Sequence, residues 1–144
     1  MVSARVTARL IDLTVTAAES VLELRQPADA ALSQFFRSRR SLGRRDREFV
    51  AETVYAVLRR RTLEHGIPGS MTARRLVLAA LMRLAGIGVR QLVPVIAGDD
   101  AEWLVALKGE AVTEMTPAER ADLPDWLYQR LREHRLARDE PYRA

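Results

Sequence analysis

The apolar residues of this chain recur at steps of three and four, and this periodicity restricts the fold more than any other feature. Residues at such steps share one face of an α-helix. No segment shows the alternation and β-branched richness that are typical of strands. The sequence therefore predicts an all-α fold, a NusB-like bundle of about seven or eight short helices. The first helix is predicted over 4–24, with a stripe formed by Val6, Leu10, Leu13, Ala17, Val21 and Leu24.

Turn and cap signals divide the rest of the chain. A second helix begins after Pro27 and ends near Arg39, and Leu42-Gly43 separates it from a long third helix over 44–63. A helix is predicted over 73–85 after an N-cap at Thr72, and another over 89–96 with an interruption at Pro94. A further helix is predicted from a cap at Asp99-Asp100 to 107. The last two are predicted over 117–121, after an N-cap at Thr116, and from 125 onward. The aromatic part of the core is predicted to contain Phe35, Phe36, Phe49 and Tyr55.

The length of 144 residues indicates one domain. We expect a helical domain over 1–135, followed by a charged tail or the start of a linker over 136–144. No run of about 18 apolar residues is present, so no membrane span is predicted. The N-terminus lacks the features of a signal peptide. Together with the lack of cysteine, these features favour a cytoplasmic protein.

Residues that could carry catalysis are few. The chain has no cysteine, which excludes a disulfide, a cysteine-ligated zinc site and a cysteine nucleophile. Its two histidines, His65 and His134, have no metal-ligand spacing. Gly86-Ile87-Gly88 is too short for a phosphate-binding loop and follows a helix. Asp99-Asp100 is best explained as a helix start. We therefore predict no catalytic residue, no metal and no cofactor for this chain, and no enzyme activity.

The positive charge is concentrated. All basic residues are arginine except Lys108, and nine arginines between Arg37 and Arg61 face only three acidic residues, a local charge of +6 within a total of +4. Such a basic surface suits a polyanion, because phosphate contacts release counterions. The alternative is a solvated face with internal salt bridges to Asp46, Glu48 and Glu52. The main candidate RNA-binding residues are Arg37, Arg39, Arg40, Arg44, Arg45 and Arg47, and the secondary ones are Arg59, Arg60, Arg61, Arg5 and Arg9.

Three segments carry a family resemblance. The stretch ADAALSQFFRSRRSLGRRDREFVAETVYAVLRRRTLEHG, from Ala28 to Gly66, resembles the NusB-like N-terminal domain of the RsmB/Sun/Fmu family of rRNA 5-methylcytosine methyltransferases. The segments RRLVLAALMRLAG (74–86) and ADLPDWLYQRL (121–131) are also similar to that family, so that the likeness covers most of 4–131. In this family pattern, Gly43 would allow a tight turn and Asp46 would cap or salt-bridge the start of the third helix.

The resemblance implies an RNA-binding domain that is not itself catalytic. Full members of the family carry a Rossmann-type domain that binds S-adenosylmethionine, with catalytic cysteines that this chain lacks. The implied role is to help position rRNA for such a domain, attached or separate. Two alternatives remain: a NusB-type transcription antitermination factor, whose dense N-terminal arginine run is missing here, and a helical module that docks on a methyltransferase domain.

Overall fold

The computed structural model describes residues 6–23, 25–64, 71–109 and 116–139, with the side chains at 61, 62 and 136–139 left aside. Within these ranges the chain forms helices and no strand, which confirms the all-α prediction. The helices are α1 (Ala8–Leu22), α2 (Ala28–Arg37), α3 (Arg44–Val57), α4 (Arg60–Leu63), α5 (Ala73–Arg83), α6 (Val89–Leu92), the 3-10 turn Val93–Val95, α7 (Gly98–Gly109), α8 (Pro117–Arg120) and α9 (Asp125–Asp139).

Threonine caps begin three of these helices. The hydroxyl oxygen of Thr72 accepts a hydrogen bond from the Arg75 backbone N–H at 3.2 Å, as the sequence predicts. Thr116 forms a full capping box with Glu119, since each side chain accepts from the backbone N–H of the other residue. At α1 the cap is Thr7. These bonds satisfy backbone donors that a helix start leaves without partners.

Helix α5 lies at the centre of the molecule. Six consecutive residues from Leu76 to Leu81 are buried, and a helix that is apolar all round is one surrounded by protein. Helices α1 and α3 pack against α5 and against each other, and α2 packs on α1. The buried Thr14 and Thr53 donate hydrogen bonds from their hydroxyls to carbonyls four residues earlier in their own helices, so both hydroxyls have a partner in the core.

The predicted helix over 44–63 is wrong in one respect, because it is interrupted. Helix α3 ends at Val57, the Arg59 N–H bonds to the Ala56 carbonyl at 3.0 Å, and α4 begins at Arg60. Leu63, the last residue of α4, is fully buried in the core.

Two other expectations need correction. Tyr55 is not core: it is 43% exposed, and its hydroxyl donates a hydrogen bond to the Asp29 carboxylate on α2. That bond, followed by desolvation, raises the pKa of Tyr55 above its ordinary value of 10.0. Asp99 and Asp100 are predicted to cap α7, but the helix begins at Gly98, so both residues lie inside its first turn. Their charge still favours a helix start.

Helix α9 continues to Asp139, past the predicted boundary between 135 and 136. That division of the chain stays a prediction, since 140–144 lie outside the described residues. None of the helices in the described ranges combines the length and apolar character that a membrane crossing requires.

Candidate nucleic-acid interface

Six of the predicted arginines lie in one short segment, residues 37–47, which we call the basic turn; it spans the end of α2, the connection that follows and the start of α3. The chain leaves α2 through a hydrogen bond from the Arg39 N–H to the Phe36 carbonyl. It is then anchored by Leu42, which is only 5% exposed and bonds back to the Arg39 carbonyl at 3.2 Å. The basic turn is therefore attached to the core at its centre.

Gly43 does not provide the conformational freedom expected of it. It is the N-cap of α3, with φ −72° and ψ 170°, values that other residues adopt readily. A methyl group added at its Cα would meet no atom within 4 Å. Nor does Asp46 act as the cap: it lies in the first turn of α3, and it has no ion-pair partner among the described residues. Its negative charge in the first turn favours the helix N-terminus.

Two of the six arginines hold the basic turn in place. The guanidinium carbon of Arg39 lies 4.1 Å from the centroid of the Phe35 ring, and Arg39 Nη1 donates to Ser38 Oγ at 3.1 Å. Arg47 Nε donates to the Leu42 carbonyl at 3.0 Å, and its guanidinium lies 5.9 Å from the Phe36 ring. Both arginines are half-buried. These contacts connect the basic turn to both flanking helices.

The other four arginines of the basic turn are exposed. Arg44 pairs with Glu48 at 3.1 Å across one helical turn, but its side chain remains 91% exposed, so the pair is weak. Three have neither an ion pair nor a hydrogen bond within the described part of the chain: Arg37, Arg40 and Arg45. The structure thus divides a cluster that the sequence presents as uniform into two arginines that hold the turn and four that face solvent.

The secondary candidates lie elsewhere. Arg59 Nη2 donates to the Arg120 carbonyl at 3.3 Å, and Arg60 pairs with Glu64 at 2.8 Å, so both bind neighbouring protein groups. They lie beyond the far end of α3, whose 14 residues span about 20 Å. Arg9 is exposed on α1. The Arg61 side chain and Arg5 lie outside the described residues.

The sequence indicates only in part which arginines of the basic turn contact protein and which are exposed. Arg39 follows Phe35 by four residues, the spacing at which side chains meet along a helix, and this is a usable signal for the first cation–π contact. The contact of Arg47 with Phe36 joins two different helices and depends on how they pack. No local pattern reveals it.

Groups suited to catalysis are not brought together in the described ranges. No three His, Asp or Glu residues there are placed to hold a metal ion. His134 is exposed on α9, and His65 lies outside the described residues. A cavity of about 380 Å³ between α3 and α5 has Glu52 at its edge and an otherwise largely apolar lining. Its other polar side chain, Thr53, is already bonded to the Phe49 carbonyl.

Comparison with protein-family models, curated proteins and solved structures found no match to this chain.

Proposed function

We propose that this chain is an RNA-binding accessory domain of an S-adenosylmethionine-dependent rRNA 5-methylcytosine methyltransferase, whose catalytic domain is attached to it or separate. The observation that carries the RNA-binding part is the basic turn, where Arg37, Arg40 and Arg45 are exposed and have no partner in the described structure. Unpaired guanidinium groups favour phosphate, which they bind through charge-assisted and bidentate hydrogen bonds.

The structure refines which arginines the proposal needs. Arg37, Arg40, Arg44 and Arg45 are assigned to phosphate contact, because they are exposed. Arg39 and Arg47 are assigned to positioning, because their guanidinium groups lie over Phe35 and Phe36. Arg59 and Arg60 keep at most a minor role, since protein groups already engage them.

The methyltransferase part of the proposal rests on the family resemblance. The chain itself is the non-catalytic part in this proposal, because the resemblance assigns methyl transfer to a Rossmann-type domain with catalytic cysteines and this sequence has no cysteine. S-adenosylmethionine and the cysteine chemistry are assigned to the catalytic domain. The reading frame next to this sequence tests the assignment: we expect a Rossmann-type domain with cysteines there or in a neighbouring gene.

The RNA-binding part is tested by a salt titration. We expect Arg37→Gln, Arg40→Gln and Arg45→Gln together to reduce the slope of log K against log salt by about 2 to 3, close to one unit per lost phosphate contact. For the intact chain, three such contacts alone predict a ~40-fold fall in affinity between 50 and 200 mM salt. Fluorescence anisotropy with rRNA fragments measures both quantities.

A matched control removes the same charge elsewhere. Arg90, Arg130 and Arg132 are also exposed, on α6 and α9, and their triple glutamine variant has the same net charge as the test variant. It is expected to retain the slope of the intact chain. If the two triple variants behave alike, binding depends on net charge and the basic turn is not the site.

A second candidate function is supported by α9. Trp126 is 67% exposed and Leu131 is 51% exposed, on a helix that packs chiefly against α8. Exposed aromatic residues of this kind are typical anchors of protein interfaces. This candidate, docking on a methyltransferase domain, predicts that Trp126→Ala weakens association with that domain at least about tenfold. The triple glutamine variant of the basic turn would leave the association unchanged.

A further inference from the structure

The aromatic rings nearest the basic turn are closed to a ligand. Phe35 is only 5% exposed, with the Arg39 guanidinium over its face and the Phe36 ring against it at a centroid distance of 5.6 Å. Phe36 is half-buried between that ring and the Arg47 guanidinium. Phe49 is 1% exposed. A nucleic-acid base therefore finds no fully exposed aromatic ring at the basic turn on which to stack.

The less buried rings of the described part of the molecule lie further along α3 or on other helices. Tyr55 is further along α3, and its hydroxyl is bonded to the Asp29 carboxylate, whose charge repels phosphate. Trp103 lies under the Arg75 guanidinium at 4.9 Å. Trp126 is on α9, which packs chiefly against α8. No row of exposed rings continues from the basic turn.

This arrangement has a consequence for the form of RNA. Proteins that hold single-stranded RNA splay its bases onto aromatic or guanidinium planes, and that stacking offsets the cost of ordering a flexible strand. At the basic turn, Arg39 and Arg47 each have a protein ring on one side of the guanidinium, and the exposed arginines are the ones assigned to phosphate. A double helix is ordered before it binds, and its phosphates lie at fixed spacings on its outer surface.

The basic turn is itself fixed in shape. Leu42 anchors it in the core, and the Arg47 side chain bonds to the Leu42 carbonyl at 3.0 Å. Exposed cations therefore project from a fixed support at the end of α2, within the turn and at the start of α3. Because the backbone of the turn is already ordered, only the exposed side chains lose conformational freedom when they meet the regularly spaced phosphates of a duplex.

We infer that the basic turn binds double-helical RNA in preference to single-stranded RNA, an inference that rests on the proposed RNA-binding function. Recognition is by backbone phosphates and the shape of the helix, without contact to base faces. The higher charge density of a duplex adds to this preference, since each contact releases about 0.9 counterion from a duplex and about 0.7 from a single strand.

The experiment compares a duplex and a single strand on the full chain. Fluorescence anisotropy at about 100 mM salt would use an RNA duplex of ~20 base pairs and a polyuridine strand of ~20 nucleotides, which has no stable pairing. With four contacts, the counterion difference alone gives about sixfold, so we expect a Kd for the duplex on the order of tenfold lower. Equal or tighter binding of polyuridine would overturn this inference and leave RNA binding intact. If neither RNA binds in a salt-dependent way, the proposed function fails as well.

A substitution at Phe36 tests the reason for the preference. Phe36 is the least buried of the three phenylalanines near the basic turn, and Phe36→Leu retains an apolar side chain there. We expect the variant to bind polyuridine within twofold of the intact chain. Stacking on one ring contributes about fivefold or more to affinity, so a fivefold loss of polyuridine binding in a variant with an unchanged circular dichroism spectrum would contradict the closed-ring argument.

Discussion

Helices α1 and α9 are both 15 residues long, but α1 buries seven side chains and α9 buries none of those described at 125–135. Helix α1 packs against α2, α3 and α5, whereas α9 packs chiefly against α8. The sequences account for the difference. The apolar residues of α1 follow one face, while α9 has charged residues around most of its circumference.

The comparison shows that helix length says little about stability. Burial of apolar surface contributes about 25 cal/mol per Å², and α1 supplies much of that burial while α9 supplies little. A helix with few buried contacts opens at lower free energy than the rest of a domain. We therefore treat α1, α3 and α5 as the bundle, α8 and α9 as the C-terminal pair, and expect the pair to open without the bundle.

The largest expected difference between the two regions comes from aromatic truncation. Phe49→Ala, at a residue 1% exposed in the bundle, is expected to lower the free energy of unfolding by about 3 to 5 kcal/mol. Trp126→Ala, at a residue 67% exposed on α9, is expected to change it by less than about 0.5 kcal/mol. Urea unfolding followed by circular dichroism measures both. A loss above ~1.5 kcal/mol for Trp126→Ala would make α9 part of the bundle.

A smaller difference is expected between two equivalent caps. Thr72→Ala removes the cap of α5 and is expected to lower the free energy of global unfolding by about 1 kcal/mol. Thr116→Ala breaks the capping box of α8 and should affect global unfolding less, because α8 belongs to the C-terminal pair. Its effect should appear as faster hydrogen exchange in α8 and α9 alone. Equal acceleration throughout α5 would show that the two regions unfold together.

The smallest effect concerns the contact of Tyr55 with Asp29, which joins α3 to α2. Because this hydrogen bond raises the pKa of Tyr55, the stabilisation is fully present below pH 10.0 and is lost as the pH rises through the higher folded value. We expect Tyr55→Phe to lower stability slightly at neutral pH, with the difference from the intact chain vanishing at strongly alkaline pH. Thermal unfolding at several pH values measures it. A difference that grows with pH would contradict the assignment.

Features set by local chemistry are predictable from this sequence. The caps at Thr72 and Thr116 and the all-α class follow from side chains that act within one helical turn. The interruption before Arg60 is not predictable in this way, since no Gly or Pro marks it. Likewise, the basic turn is visible as charge, but the separate roles of its arginines depend on packing between α2 and α3.

Because two arginines of the basic turn lie over covered rings, the positions of this turn differ in how well they accept lysine. Lysine at positions 37, 40 or 45 would preserve an exposed positive charge, but it would contact phosphate as a point charge without the bidentate fork of arginine. At positions 39 and 47 a lysine has no planar group to lie flat over Phe35 or Phe36, and it lacks the Nε–H that Arg47 donates to the Leu42 carbonyl. A lysine is therefore expected to weaken the support of the turn at positions 39 and 47, and to change only the form of the phosphate contact at positions 37, 40 and 45.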